Sequence, residues 1–313
     1  MTIVGMPPME DGYLGEAITD AFLPTLQFQH RDVADLYLPL ESGFHNLAIV
    51  ASKQRYPRQA RKTALGLLGA GQMMFQKVIV AVDEGHPVKD LDALLDALDY
   101  RVHIPNDLVF LRGMVADTLA HAAPWENIHD KLIIDATTTP DNDPHSGQPP
   151  QPGCPDSLEI SASAVSGVIQ ARMLRSSMLV VTTNIEGAPK PEGSMEEVSE
   201  EGAARQREVI DEICRGIWSL EAAQNLRWLF ITDDDVYLAS EDWRRRLLWQ
   251  LFCRFDVGRD LHFDDSGGRL AWDATAPIPS NEGPLPVRRW PGVTLHDAEV
   301  AERVDAWLAE GGY

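Results

Sequence analysis

Apolar residues along this chain fall into two patterns. Some form short unbroken runs; others recur every three or four positions. The runs at 47–52, 78–82, 108–111, 178–183 and 228–231 read as strands, and unbroken apolarity fits a sheet covered on both faces. Between them lie helical stripes. Residues 57–69 carry Ala60, Ala64, Leu67 and Leu68 on one face, with Pro57 expected at the first helical position. Leu91, Leu94, Leu95 and Leu98 mark the next helix. Val209, Ile210, Ile213 and Ile217 mark another, as do Trp243, Leu247, Leu248, Leu251 and Phe252. A last helix over 297–309 turns Val300, Val304, Trp307 and Leu308 to one side. Near the start, residues 2–5 read as the end of a strand, which points to chain in front of it. A short helix over 16–23 is expected to stop at Pro24.

The elements repeat. The strand beginning at Lys77, a helix, the segment from Arg101 to Asp107 and a strand closing on Asp135-Ala136-Thr137 make one copy. The strand beginning at Trp228, a helix, the segment from Arg254 to Asp260 and a strand closing on Asp273-Ala274-Thr275 make the other. A repeat of that size is a whole supersecondary unit. The expected class is therefore α/β, with two tandem copies of a strand–helix–strand–helix–strand unit and mainly parallel sheets. The expected division is 1–30 as a leading edge and connecting helix, 31–139 as the first unit, 140–157 as a Pro-rich linker, and 158–313 as the second, degenerate unit with its C-terminal helix. An acidic loop runs from Glu186 to about Gly202.

Charge narrows the partners. Asp and Glu number 48 against 27 Lys and Arg, a net charge of -21. Phosphate and anionic lipid both need clustered cations, so nucleic acid and a charged membrane surface are disfavoured. No apolar run is long enough to span a bilayer, and no secretory signal is visible. Cys154, Cys214 and Cys253 are odd in number and far apart, which favours a reducing, cytoplasmic setting over a disulfide framework.

Candidate chemistry is sparse. Asp83-Glu84 and Asp233-Asp234-Asp235 sit where parallel strands end, the edge at which open α/β sheets bind ligands. They could hold Mg²⁺; they could equally be acids opening the following loop or helix. Asp265-Ser266-Gly267-Gly268 has the look of a serine-nucleophile segment, but its place between two strands favours a hairpin turn. The glycines of 66–71 follow a helix and mark its end rather than a dinucleotide loop. Nine histidines show no paired spacing on any predicted helix, so no metal site is assigned. The loop 38–46 is the strongest candidate, combining Glu41, Phe44, His45 and Asn46 with Gly43 for close backbone approach. Its His and Asn could instead satisfy backbone groups of the turn. His121, in a long loop that the second copy lacks, is similar.

Taken together, several motifs resemble the UbiD decarboxylases. They are Ile3-Val4-Gly5-Met6-Pro7-Pro8-Met9-Glu10-Asp11, the stretch from Pro39 through His45-Asn46 to Val50, Tyr56-Pro57, Ala60-Arg61-Lys62, Gly71-Gln72-Met73-Met74-Phe75, Leu119-Ala120-His121-Ala122-Ala123-Pro124 and Ile134-Asp135-Ala136-Thr137. The long menaquinone-biosynthesis decarboxylase variants look most similar, since they too carry a second, degenerate unit ending in a stretch like Arg288-Arg289-Trp290-Pro291. The resemblance reaches only the C-terminal half of that family. It implies non-oxidative decarboxylation of an aromatic or α,β-unsaturated acid, with a role in quinone biosynthesis. It implies prenylated FMN, a divalent metal and potassium in the complete enzyme, held by a preceding domain that also supplies a catalytic Glu-Arg-Glu set. No residue here matches that set, so no catalytic residue is assigned, and no cofactor is expected on this chain alone. What carries over is a substrate-facing set: Pro8, Glu10, Glu41, Phe44, His45, Asn46, Leu119 and His121. The implied partners are a separately encoded N-terminal half, further copies of this chain and a small carboxylic acid. The alternative is a non-catalytic assembly protein that kept the fold without the chemistry.

Overall fold

A computed structural model describes residues 9–138, 143, 152–185, 198–283, 285–289 and 297–309. The expected strand end at 2–5 lies outside them, as do most of the Pro-rich linker and the acidic loop. The repeat is real at the level of topology. The first sheet contains β1 (Val33–Tyr37), β2 (Leu47–Ser52), β3 (Val78–Asp83), β4 (Leu108–Val115) and β5 (Ile128–Asp135) in the order β1-β2-β3-β5-β4. The second contains β6 (Gln170–Arg175), β7 (Met178–Thr183), β8 (Trp228–Asp233), β9 (Leu261–Phe263) and β10 (Leu270–Asp273) in the order β6-β7-β8-β10-β9. In each sheet the three central strands are parallel and both edge strands antiparallel.

The described residues contain seven α-helices: α1 (Met9–Gln29), α2 (Gln59–Leu67), α3 (Leu91–Arg101), α4 (Leu158–Ser163), α5 (Glu200–Trp218), α6 (Trp243–Arg254) and α7 (Ala298–Ala309), the last with Val300, Val304, Trp307 and Leu308 exposed. The Asp90 side chain caps α3 by accepting from the Ala93 amide, and Ser199 caps α5 by accepting from that of Gly202. One core is shared by both units. It joins Val78, Val80 and Val82 of β3 to Trp228 and Phe230 of β8, with Leu94 of α3 and Leu247 of α6 between them. A second cluster sits under α2 on the outer face of the first sheet and includes Ile79. A third joins α4 and α5 to Leu229 and Ile231. The central strands are thus buried on both faces, which is why they read as unbroken apolar runs.

Four local expectations change. The edge strands β1 and β6 carry no apolar run. Asp35, Arg172 and Arg175 interrupt them, as suits strands open on one side. The helix expected to stop at Pro24 continues to Gln29 with Pro24 inside it. Leu23 and Leu26 pack on the core beneath β1, and that burial outweighs the donor lost at the proline. The helix also starts earlier than expected, at Met9 instead of Glu16. Helix α2 begins two residues after Pro57, behind a left-handed Arg58 (φ 67°). By contrast, residues 264–269 form the expected hairpin connection between β9 and β10.

The units grip each other reciprocally. Lys77, the residue before β3, is fully buried and donates through Nζ to the carbonyls of Phe252 (2.7 Å) and Phe255 (2.9 Å) at the end of α6. Arg227, the residue before β8, donates to the carbonyl of Asp99 near the end of α3. Each cation therefore meets the negative end of the other unit's helix, much as in an isologous dimer joined into one chain. Burial pulls the Lys77 ammonium down to about 8, so it remains a donor at neutral pH.

Candidate functional site

The loop between β1 and β2 and the long connection between β4 and β5 come together at one pair. His45 Nδ1 lies 2.5 Å from Asp117 Oδ2. The other carboxylate oxygen accepts from the Leu119 amide at 2.8 Å. The His45 imidazole beside Asp117 holds its carboxyl below the usual range. With Nδ1 engaged by a carboxylate, the imidazole is oriented and its Nε2 can accept or return a proton. Gly43 is left-handed (φ 72°) and so is Phe44 (φ 56°), and these two residues swing His45 out of the line of the strand. A cavity of about 210 Å³ opens beside the imidazole, beneath α1, with Ile18, Phe22, Leu38 and Met73 in its walls.

The remaining expected site residues scatter. Pro8 lies outside the described residues; Glu10 falls in the first turn of α1. Glu41 faces the second unit, with its carboxylate 3.3 Å from Arg245. Phe44 packs against Gly15 of α1, where a side chain on the glycine would collide with the ring. Asn46 donates to the Ser42 carbonyl at 2.8 Å, as the turn-stabilising reading expects. Leu119 is largely exposed. His121 lies toward Arg288, and burial, followed by that charge, lowers its imidazole. The structure thus joins His45 to the 117–121 segment through Asp117, a residue the sequence reading missed. Only its position two residues before Leu119 could have pointed to it.

That segment is braced by the second unit. Arg288 donates to the carbonyls of Ala123 (2.8 Å) and Ala120 (3.0 Å), and Arg259 to that of Ala122 (3.2 Å). The loop that the second copy lacks is held in place by arginines the second copy supplies.

The acids at the strand ends are structural. Asp83 accepts from Arg101 at 2.6 Å, and from the amide and hydroxyl of Thr138. Asp233 accepts from Arg254 at 2.6 Å and from the Ala276 amide at 2.7 Å. Both arginines are the last residues of their helices, α3 and α6. Among the described residues no group of three or more His, Cys, Asp or Glu is placed to hold a metal ion. No helix among them is long and apolar enough to cross a membrane.

Comparison with known proteins agrees with the first unit. The profile of the 3-octaprenyl-4-hydroxybenzoate carboxy-lyase C-terminal domain (UbiD) matches residues 12–136. An uncharacterized protein of Archaeoglobus fulgidus is 43% identical over 136 residues, and one of Aquifex aeolicus 44% over 137. Each match covers 44% of this chain and 28% of the relative. Among solved structures, the vanillic acid decarboxylase of Sedimentibacter hydroxybenzoicus in an open form is 25% identical with a TM-score of 0.38, covering 45% of this chain and 30% of that one. A UbiD-class enzyme of Pelotomaculum thermopropionicum in complex with FMN is 20% identical with a TM-score of 0.37, covering 42% and 29%. The assignment rests on the sequence match: residues 12–136 form a UbiD C-terminal-like domain, to which this chain adds a second sheet of the same strand order.

Proposed function

We propose that this chain is the substrate-capping and oligomerising part of a UbiD-like decarboxylase that acts on an aromatic or α,β-unsaturated acid. The match of 12–136 to the carboxy-lyase C-terminal domain carries the reading. Among the described residues no group of three or more His, Cys, Asp or Glu is placed to hold a metal ion. The cofactor, its metal and potassium are assigned to a separate N-terminal half. When bound there, the flavin-derived group would stabilise the charge left after loss of CO₂. What this chain contributes is an oriented imidazole. His45, held by Asp117, lies beside the cavity under α1, where it can donate to a substrate carboxylate or return a proton to the decarboxylated carbon. Helix α1 also leaves Tyr13, Leu14, Ile18, Phe22 and Phe28 exposed. An apolar surface of that kind fits the face on which a cofactor-binding half would dock. A place in quinone biosynthesis and a cytoplasmic site belong to the same proposal.

The test is reconstitution. Purified alone, the chain is expected to be colourless and inactive. Mixed with a UbiD-type N-terminal half loaded with its cofactor, it should form a stable complex and release CO₂ from an aromatic acid. A flavin band retained stoichiometrically by the isolated chain would contradict the division of labour. Failure to co-purify, with both parts folded, would favour the non-catalytic assembly protein instead.

A further inference from the structure

A lysine buried in the first unit bears on His45 through the segment that packs against its ring. Lys131 of β5 is 1% exposed. Among the described residues no carboxylate pairs with it. Its ammonium meets three neutral groups instead: the carbonyls of Met74 (2.8 Å) and Gln76 (2.7 Å), and Nε2 of His129 (3.0 Å). Burial, followed by the Lys131 charge, drives His129 down to about 2, so its ring is neutral and can accept at Nε2. Three N–H donors thus find three acceptors, the condition under which a polar group is tolerated away from water.

The two carbonyls bracket a single residue. Phe75 stands between Met74 and Gln76, and its ring centroid is 5.6 Å from that of the His45 imidazole. Phe75 also ends the 3₁₀ helix Gly71–Phe75. A helix this short cannot satisfy its own last carbonyls, and Lys131 reaches across from β5 to cap them. Gly71, Gln72, Met73 and Gln76 of the same segment line the cavity beside His45. One ammonium therefore fastens both the ring that the imidazole leans on and one wall of its cavity.

The fastening depends on a proton. An ammonium supplies three donors and a neutral amine two, so deprotonation releases one of the three contacts. Burial, and then the Lys77 charge, pull Lys131 down to about 7. The charged and titratable groups around it come from several elements. Lys77 enters at the start of β3, and His129 lies on β5 itself. Asp117, between β4 and β5, faces His129. Cys253, Asp256, Arg259 and Asp260 of the second unit face Lys77.

We propose that Lys131 is a positioning residue for His45: its ammonium holds the carbonyls on either side of Phe75 and so sets where the imidazole stands between Asp117 and the cavity. This role rests on His45 being the working imidazole of the proposed function. Its test uses the intact chain alone and no decarboxylation, so failure here and failure of reconstitution are separate results.

The experiment is an NMR titration of the ¹⁵N-labelled full chain across neutral pH. The amide nitrogens of Phe75 and Lys77 are bonded to the two carbonyl carbons concerned, so their shifts report the hydrogen bonds that those carbonyls accept. In the parent both should move with a midpoint near 7, and the His45 ring nitrogens should show the same step beside their own. Lys77 has a further step of its own near 8. Lys131→Gln, which donates but does not titrate, should lose the step near 7 at all three residues. His45→Asn should keep it at both amides, since the imidazole is not its source. Should the Gln variant not fold, Lys131→Arg leaves a permanent cation at the site and should lose the step as well. Flat amides in the parent, a step that survives in a folded Lys131 variant, a step that disappears in His45→Asn, or a His45 curve unchanged by Lys131→Gln would each overturn the proposal.

Discussion

The two units share a strand order and differ in how they treat the carboxylates at corresponding positions. In the first, Asp107 and Asp135 are met from α2: Arg61 lies 2.7 Å from one and 2.8 Å from the other, and Arg58 adds a contact to Asp107 at 3.1 Å. In the second, the corresponding Asp260 is met by its own neighbour Arg259 at 2.6 Å. Among the described residues, Asp273, which corresponds to Asp135, accepts from the Thr275 amide and hydroxyl. Burial and then the nearby Asp260 push Asp273 up to about 7, while burial raises Asp256 to about 6. A duplicated backbone thus tolerates a change in electrostatics. The first unit keeps basic residues on α2 and a loop that orients His45. The second meets Asp260 with Arg259 from outside its helices and supplies the braces for that loop.

The strongest way to break this picture is at the reciprocal clamp. Arg227→Met would leave Asp99, 1% exposed, without its cation and the end of α3 without its donor. A loss of roughly 3–5 kcal/mol is expected from denaturant titration. A loss below about 1 kcal/mol would mean that the two units do not depend on this contact.

Next come the strand cores. Ile79 and Leu229 occupy corresponding central positions, and both are fully buried. Ile79→Ala and Leu229→Ala should each cost about 2–5 kcal/mol, through lost transfer energy and a residual cavity. A small effect at only one of them would show that the units are not packed alike.

The carboxylates sharpen the contrast further. Asp135→Asn breaks a pair with Arg61 and should cost about 3 kcal/mol. Asp273→Asn keeps its bonds to Thr275 and breaks no arginine pair, so it should change stability by less than about 1 kcal/mol at about pH 4 and raise it at neutral pH. It should also alter the pH profile. The folded pKa of Asp273 is raised above its ordinary 3.8, so the native state binds the proton more tightly. Its contribution is therefore present at about pH 4 and is lost as pH rises toward 7. Melting temperatures measured across that window should fall less steeply in the Asn variant than in the parent.

The smallest effect on stability, though not on activity, is expected at His45. In a reconstituted enzyme His45→Ala should reduce turnover while stability stays within about 1 kcal/mol. Because Asp117 is held below its ordinary range by His45, the pair's contribution is present above about pH 4 and fades as pH falls further. A variant that melts much earlier yet turns over normally per folded molecule would make the loop a structural turn.

The sequence by itself determined the duplicated α/β architecture. A strand covered on both faces must be apolar throughout, and a helix covered on one face must carry its stripe, so Val78 to Val82 and Leu91 to Leu98 announce themselves locally. It also carried the motifs that place residues 12–136 in a known domain type. The edge strands β1 and β6 were not legible, because a strand open on one side admits Asp35 and Arg172. Nor was the end of α1, where tertiary packing of Leu26 overrides Pro24. Only the tertiary structure decided the partners: Asp117 for His45, Arg61 for Asp135, and Lys77 and Arg227 for each other's helix ends. Such pairs join positions tens to hundreds of residues apart, and which acid meets which base depends on how two sheets stack around α3 and α6. No periodicity along the chain records that distance.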